Sequence, residues 1–304
     1  MVTRLTAVII VMPLLVSCSG SGRELADQMV NVGSHSLHAV VTGQGSPAVV
    51  FDGGIGARCE EYRELQDRIA VTTTVVTYDR AGYGSSEVGP LPRDSRREVE
   101  ELRTMLAKLH IPRPYILVGH SLGGLNAQVY ADLHPGEVAG IVLLDPPPLG
   151  FILGEEYTEL APMAAQMTDE WQGIADRGLQ SDREEERAEA GFFQMLASEH
   201  REMFISAQQA SSIDSFADIP LVVVASGAPN PMFGDVAEPF QQYWAAQSEA
   251  LSTKSSRGQF VFAQTSTHRL HDDAADLVAD SVLSMVNSLR GSPRSRNQGR
   301  DAEL

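Results

Sequence analysis

A chain of 304 residues can bury a full core, as one large domain or two small ones. With 43% hydrophobic and 21% charged residues it suits a soluble globular body and excludes a disordered or membrane-embedded one. The formal charge of −17 would be repelled by phosphates, which excludes nucleic acid as a partner; it is read as a solvated acidic surface.

The N-terminus carries Arg4, an apolar run from Ala7 to Val16, and then small polar residues. That run is too short to cross a bilayer core, which takes about 20 residues, but it has the size of the apolar segment of a secretory signal. Leu15-Val16-Ser17-Cys18 resembles a bacterial lipobox, whose cysteine is acylated and becomes the first residue of the mature protein. The resemblance implies a signal peptide over 1–17, a flexible tether over 18–28, membrane attachment through a lipidated Cys18, and a place in the cell envelope. An ordinary secretory signal with an incidental cysteine is the alternative, and it gives a secreted protein. Only Cys59 is left in the mature body, so neither an intramolecular disulfide nor a cysteine metal set can form; Cys59 reads as a small, buried or half-buried filler.

Next, Met29–Val41 has alternating stretches that predict an antiparallel hairpin at one sheet edge. Short runs rich in Val and Ile follow at Ala48–Phe51, Val75–Tyr78, Tyr115–Val118, Ile141–Leu144, Leu221–Val224 and Gln259–Phe262. They do not alternate, as expected of parallel strands covered on both faces. Helical patterns lie between them at Glu60–Ile69, Arg96–Leu109, Leu122–Leu133, Glu238–Leu251 and Ala274–Leu289. This alternation predicts an α/β protein with a mostly parallel sheet and helices on both faces. The interval 146–218 breaks the rhythm: it has no strand candidate, only acidic helical stretches. The apolar residues behind those charges (Phe192, Phe193, Met195, Leu196, Met203, Phe204) need something to cover, so a helical cap over the carboxyl edge of the sheet is expected. The core then comprises 29–145 and 219–290, and the polar residues 291–304 form a loose tail.

One pentad stands out. In "LVGHSLGGLNA" (Leu117–Ala127) Ser121 sits between Gly119 and Gly123, where a predicted strand meets a predicted helix. A turn that sharp crowds the positions two before and two after the serine and lifts its hydroxyl above the sheet. A turn serine accounts for one glycine; a nucleophile on a corner accounts for both, and for the small Gly124 and Ala127. Such a serine needs a base. His120 is adjacent and would point away, as scaffold. His35, His38, His110 and His134 have no special context, and His200 lies on the cap. His268 and His271 follow the last strand, and His268, nearer the strand end, is favoured. A metal set of His268, His271, Asp272 and Asp273 lacks complementary ligands elsewhere, so no metal is expected. The base needs a carboxylate. Asp145 ends the strand Ile141–Leu144, whereas the first acid after Leu221–Val224 is Asp235, so Asp145 is favoured and Asp235 is the rival; a strand-end cap is the structural reading of Asp145. An oxyanion hole needs backbone N–H groups. Leu122 at the helix start supplies one, and the glycine-rich turn after Ala48–Phe51 supplies the other through Gly54 or Ile55.

"GHSLGG", "YDRAGYGSS" (Tyr78–Ser86), "VAGIVLLDP" and "THRLHDDAADLV" together resemble the α/β-hydrolases over residues 31–290, with a gap at the cap. The resemblance implies the α/β-hydrolase fold, the order Ser121, Asp145, His268 as a catalytic triad, a structural turn at Asp79–Ser86, and a lid after Asp145 that shapes substrate access. It implies no cofactor. Two departures stand out: Asp52-Gly53 replaces the His-Gly of many relatives, which puts the support of the oxyanion turn in doubt, and the acid lies one strand earlier than in many of them. The expected activity is hydrolysis of a carboxylic ester through an acyl-enzyme on Ser121. A serine here disfavours the dehalogenase and epoxide-hydrolase chemistries, which attack through a carboxylate. Peptidase, lactonase, thioesterase and perhydrolase chemistry on a small-molecule ester or amide stay open, as does a catalytically silent lipoprotein that only binds. The sequence carries no signal for an oligomeric state.

Overall fold

Strands that are apolar at every position can be covered on both faces, and here they are. The computed structural model describes residues 26–291. Its sheet has eight strands: β1 (Ala26–Asn31), β2 (Ser36–Thr42), β3 (Ala48–Asp52), β4 (Val75–Tyr78), β5 (Tyr115–His120), β6 (Val138–Leu144), β7 (Leu221–Ser226) and β8 (Gly258–Ala263). They lie in the order β1-β2-β4-β3-β5-β6-β7-β8. The predicted hairpin is the antiparallel pair β1–β2 at one edge, and β2 also pairs antiparallel with β4. From β4 to β8 all pairings are parallel.

Successive side chains leave a strand on opposite faces, so each apolar run feeds two cores. Val50, Leu117, Leu143 and Val223 face one core, shared with α2 (Ser95–Lys108) and α3 (Leu122–Leu133) through residues such as Leu102, Leu106 and Leu125. Val49, Ile116, Val142 and Val224 face the other, shared with α1 (Arg63–Ala70) and, near the C-terminus, a helix over Ala275–Gly291. The Asp94 carboxylate caps α2 by accepting from the N–H groups of Arg96 and Arg97 at 2.9 and 3.3 Å.

Between β6 and β7 the described chain is helical, as expected: α4 (Leu149–Ile152), α5 (Ala161–Gly178) and α6 (Glu184–Ser211). Met195 and Leu196 of α6 join the first core, and Phe192, Phe193 and Met203 pack against it. Phe204, expected to be covered too, is instead 44% exposed, because it lies on the outer face of α6. After β7 come α7 (Ala237–Ser252), β8, a short α8 (Leu270–Asp273) and α9 (Ala275–Gly291). The expectation of a buried last strand is corrected as well. β8 is the sheet edge, with β7 as its one neighbour, and of its residues only Ala263 is buried.

The parallel register brings strand ends to one rim. Asp52 pairs with Gly119, His120 with Leu144, Leu144 with Val224, and Ser226 with Ala263. Chain leaving β3, β5, β6, β7 and β8 therefore emerges along a single edge, where open parallel sheets hold ligands.

Candidate active site

The corner between β5 and α3 is forced by contact. Ser121 has φ 52° and ψ −119°, a region a residue with a side chain rarely occupies. The surroundings impose it: Ser121 N–H donates to the Leu144 carbonyl at 3.0 Å on one side, and Gly123 N–H to the Gly53 carbonyl at 3.1 Å on the other. A Cβ on Gly119 would collide with the Gly123 carbonyl, and one on Gly123 with the Asp52 carbonyl. Both glycines of the pentad are required by close approach.

Asp145 follows β6 with φ 49° and is pinned by its own N–H, which donates to the Val224 carbonyl at 2.7 Å. Its buried carboxylate accepts from the Ser226 N–H at 2.8 Å, the Ser226 hydroxyl at 2.7 Å and His268 Nδ1 at 2.7 Å. Gln241 of α7 donates to the Ser226 carbonyl at 2.7 Å and holds that serine in turn. With Nδ1–H given to Asp145, His268 keeps Nε2 as its acceptor. The structure therefore brings Asp145, and not Asp235, to His268; Asp235 lies exposed in the turn Pro231–Val236. Ser121, Asp145 and His268 line one cavity of about 460 Å³, although among the described residues no hydrogen bond joins the Ser121 hydroxyl to the His268 ring. Catalytic contacts of this kind often tighten only when substrate is bound.

His120 is scaffold, as expected, and its partners were not foreseen. Its Nε2–H donates to the His268 carbonyl at 2.8 Å, so its Nδ1 accepts from the Tyr62 hydroxyl at 2.9 Å. Tyr62 oxygen accepts in turn from Gly54 N–H at 3.3 Å. This relay needs a neutral His120, and burial, with His268 and His271 nearby, holds its pKa well below the usual histidine value. Of the two residues weighed for the second backbone donor, Gly54 has its N–H on the Tyr62 hydroxyl, whereas Ile55 lines the cavity. The N–H groups of Ile55 and Leu122 have no acceptor among the described residues. His271 is buried against Tyr62 and His120, with ring centroids 4.9 and 5.0 Å away, and stays outside the cavity. The residues weighed as a metal set diverge: His268 is on Asp145, Asp272 on Arg269, and Asp273 on Thr267.

The doubt raised by Asp52 has a physical answer in Arg80, the arginine of "YDRAGYG". Its buried guanidinium donates to Asp52 at 2.8 Å, to the carbonyls of Gly53 and Gly54 at 2.6 and 2.7 Å, and to Glu199 of α6 through two bonds of 2.9 Å. The turn before Ile55 is thus fixed by its carbonyls. Asn126 ties Asp52 to Glu98, and the Tyr83 hydroxyl donates to Glu199 at 2.7 Å. Burial and the neighbouring Glu199 push the Glu98 carboxyl well above the usual range. Burial alone would raise Glu199 too, but Arg80 outweighs it and keeps that carboxylate low.

Sequence reasoning missed Tyr62, Arg80, Glu199, Ser226 and Gln241. Arg80 and Ser226 did carry a signal, a polar residue two past the end of an apolar strand and one ending such a strand. It also passed over His38, which bridges Asp79 at 2.8 Å and Asp27 at 2.7 Å, with Cys59 Sγ 3.6 Å away. Cys59 is buried as expected. None of these four lines the cavity. Cys18 lies outside the described residues.

Residues 49–281 match the model of the alpha/beta hydrolase family. YqjL of Bacillus subtilis, an uncharacterized protein, is 25% identical over 245 residues, 80% of this chain and 84% of its own. YbdG of the same organism, also uncharacterized, is 33% identical over 119 residues, 38% of this chain but only 37% of its own. Among solved structures, a thermophilic esterase from Thermogutta terrifontis superposes with a TM-score of 0.63 at 16% identity, covering 86% of this chain and 99% of that one. A match of that extent, on a sheet of this order, places the chain: it belongs to the alpha/beta hydrolase family.

Proposed function

We propose that the protein is a serine hydrolase that cleaves a carboxylic ester through an acyl-enzyme on Ser121. Ser121 Oγ attacks the carbonyl carbon as its proton passes to His268 Nε2, and the resulting imidazolium is stabilised by Asp145 across the Nδ1 bond. The N–H groups of Leu122 and Ile55 take the oxyanion. His268 then protonates the leaving alcohol, and a water activated by the same ring releases the acid. The observation that carries this reading is a serine held at φ 52° in the same cavity as a histidine bonded to a buried aspartate at 2.7 Å. Strain at a single side-chain-bearing residue persists where the surroundings over-determine it, and it clusters at functional sites.

The cavity wall fits a small apolar ester. Phe151, Met163, Met167, Trp171 and Trp244 line it. Its one arginine or lysine among the described residues, Arg269, is already paired with Asp272 at 2.6 Å and Glu61 at 3.1 Å, so it offers no free charge for an ionised substrate. A fluorophosphonate probe tests the reading: it labels the wild type and not Ser121→Ala. Absent or equal labelling leaves the protein a binding module. Export and anchoring through a lipidated Cys18 are part of the proposal, and the mass of the mature N-terminus checks them.

A further inference from the structure

Among the described residues, the helices of the insertion between β6 and β7 are apolar where they face the cavity, with one exception. Leu160, Met163, Met167, Trp171 and Met203 line this side, and among them stands His200 of α6. Its ring is held firmly. Nδ1 lies 2.6 Å from the Thr168 hydroxyl of α5, and Trp171 packs edge-on with centroids 5.3 Å apart. The Thr168 hydroxyl is also 3.1 Å from the Ala164 carbonyl one turn back. A hydroxyl has one proton, and a helical threonine commonly gives it to that carbonyl. Thr168 then accepts from His200 Nδ1–H, which leaves the lone pair on Nε2, the nitrogen without a partner among the described residues. No carboxylate bonds to the ring, and burial lowers its pKa, so it is neutral near pH 7.

We propose that His200 Nε2 is a substrate-recognition acceptor, and that the substrate is a neutral ester whose apolar portion carries a hydroxyl at the depth of His200. This deepens the ester-hydrolase reading and rests on it. A single acceptor in an apolar wall discriminates because a substrate without the hydroxyl leaves it unpaired once water is expelled.

Binding tests this without turnover. The chain has two tryptophans, and both line the cavity, so their fluorescence reports occupancy. In Ser121→Ala, a series of ethyl hydroxyalkanoates with the hydroxyl moved along the chain is titrated against the unsubstituted parents. At one position the hydroxylated ester should bind about 5-fold tighter than its parent, the equivalent of one net hydrogen bond. Its methyl ether, which can accept but not donate, should gain nothing. The preference should vanish in Ser121→Ala/His200→Leu. In Ser121→Ala/Thr168→Val, where the ring's proton is no longer fixed, the hydroxyl and the ether should bind alike. No preference at any position, no saturable binding of any ester, or a preference that survives the loss of His200 overturns the proposal. The wild type is then given the same esters: turnover of none of them, with the binding preference intact, counts against the hydrolase reading alone.

Discussion

The two sides of the cavity that meet at Ser121 are held by opposite means. On the proposed acid–base side, one buried carboxylate is satisfied by three short hydrogen bonds, and every donor comes from the end of β7 or the chain after it. On the side proposed to take the oxyanion, the turn before Ile55 hangs on a buried guanidinium shared with Asp52, Glu98 and Glu199. Glu199 belongs to the helical insertion. One side is therefore complete within the sheet and its flanking helices, whereas the other is completed by α6. Buried ion clusters are costly to assemble and costlier to break in part. The contrast implies that α6 is fixed to the core at Glu199 while its neighbouring turns wall the cavity.

That contrast can be broken from either side. The largest effect is expected from Asp145→Asn, which keeps the shape but loses the charge that fixes the His268 tautomer: kcat/KM should fall by about 10⁴-fold with little change in Tm. Asp235→Asn should leave both unchanged, and ester turnover with a melting curve reads the pair. On the opposite side, Arg80→Met leaves carboxylates buried without their cation. The expected loss is about 3–5 kcal/mol in urea unfolding, with a fall in kcat as the oxyanion turn loosens. If Arg80→Met lowers kcat without loss of stability, the ion cluster is not what holds the turn. Tyr62→Phe strikes a link between the sides. It strands Gly54 N–H and His120 Nδ1, so about 1–3 kcal/mol should be lost, and kcat should fall more than KM rises.

How much of this was legible follows from what each force leaves in a sequence. Burial on two faces leaves unbroken runs such as "IVLL", so the parallel strands were readable. Close backbone approach leaves glycine, so the Ser121 corner was readable too. Asp145 could be favoured because the next strand end, "ASGAPN", has no acid to compete. Buried polar pairing leaves no such mark. Glu199 sits in a helix crowded with acids, where a charge that is 0% exposed looks like its solvated neighbours. Tyr62 in "CEEYREL" reads as core filler, and only the fold turns its hydroxyl toward His120. The exposure of β8 was hidden for a different reason: composition does not say which strand ends the sheet.

A histidine at the β1–β2 edge sharpens the contrast by lying outside both sides. Burial pulls the His38 ring's pKa down, yet its bonds to Asp27 and Asp79 outweigh that and raise it above the usual histidine value. The folded state then favours the protonated ring. Its stabilisation is fully present below about pH 6.5, the unfolded value, and is lost as pH rises through the raised folded value. Tm followed from pH 5 to pH 9 should therefore decline more in the wild type than in His38→Gln, with the two curves converging at the alkaline end. Because His38 touches neither the cavity nor the Arg80 cluster, kcat of the variant should match the wild type across that range. A parallel fall in kcat would mean that the hairpin edge, and with it Cys59 and Asp79, reaches the oxyanion turn through the intervening backbone.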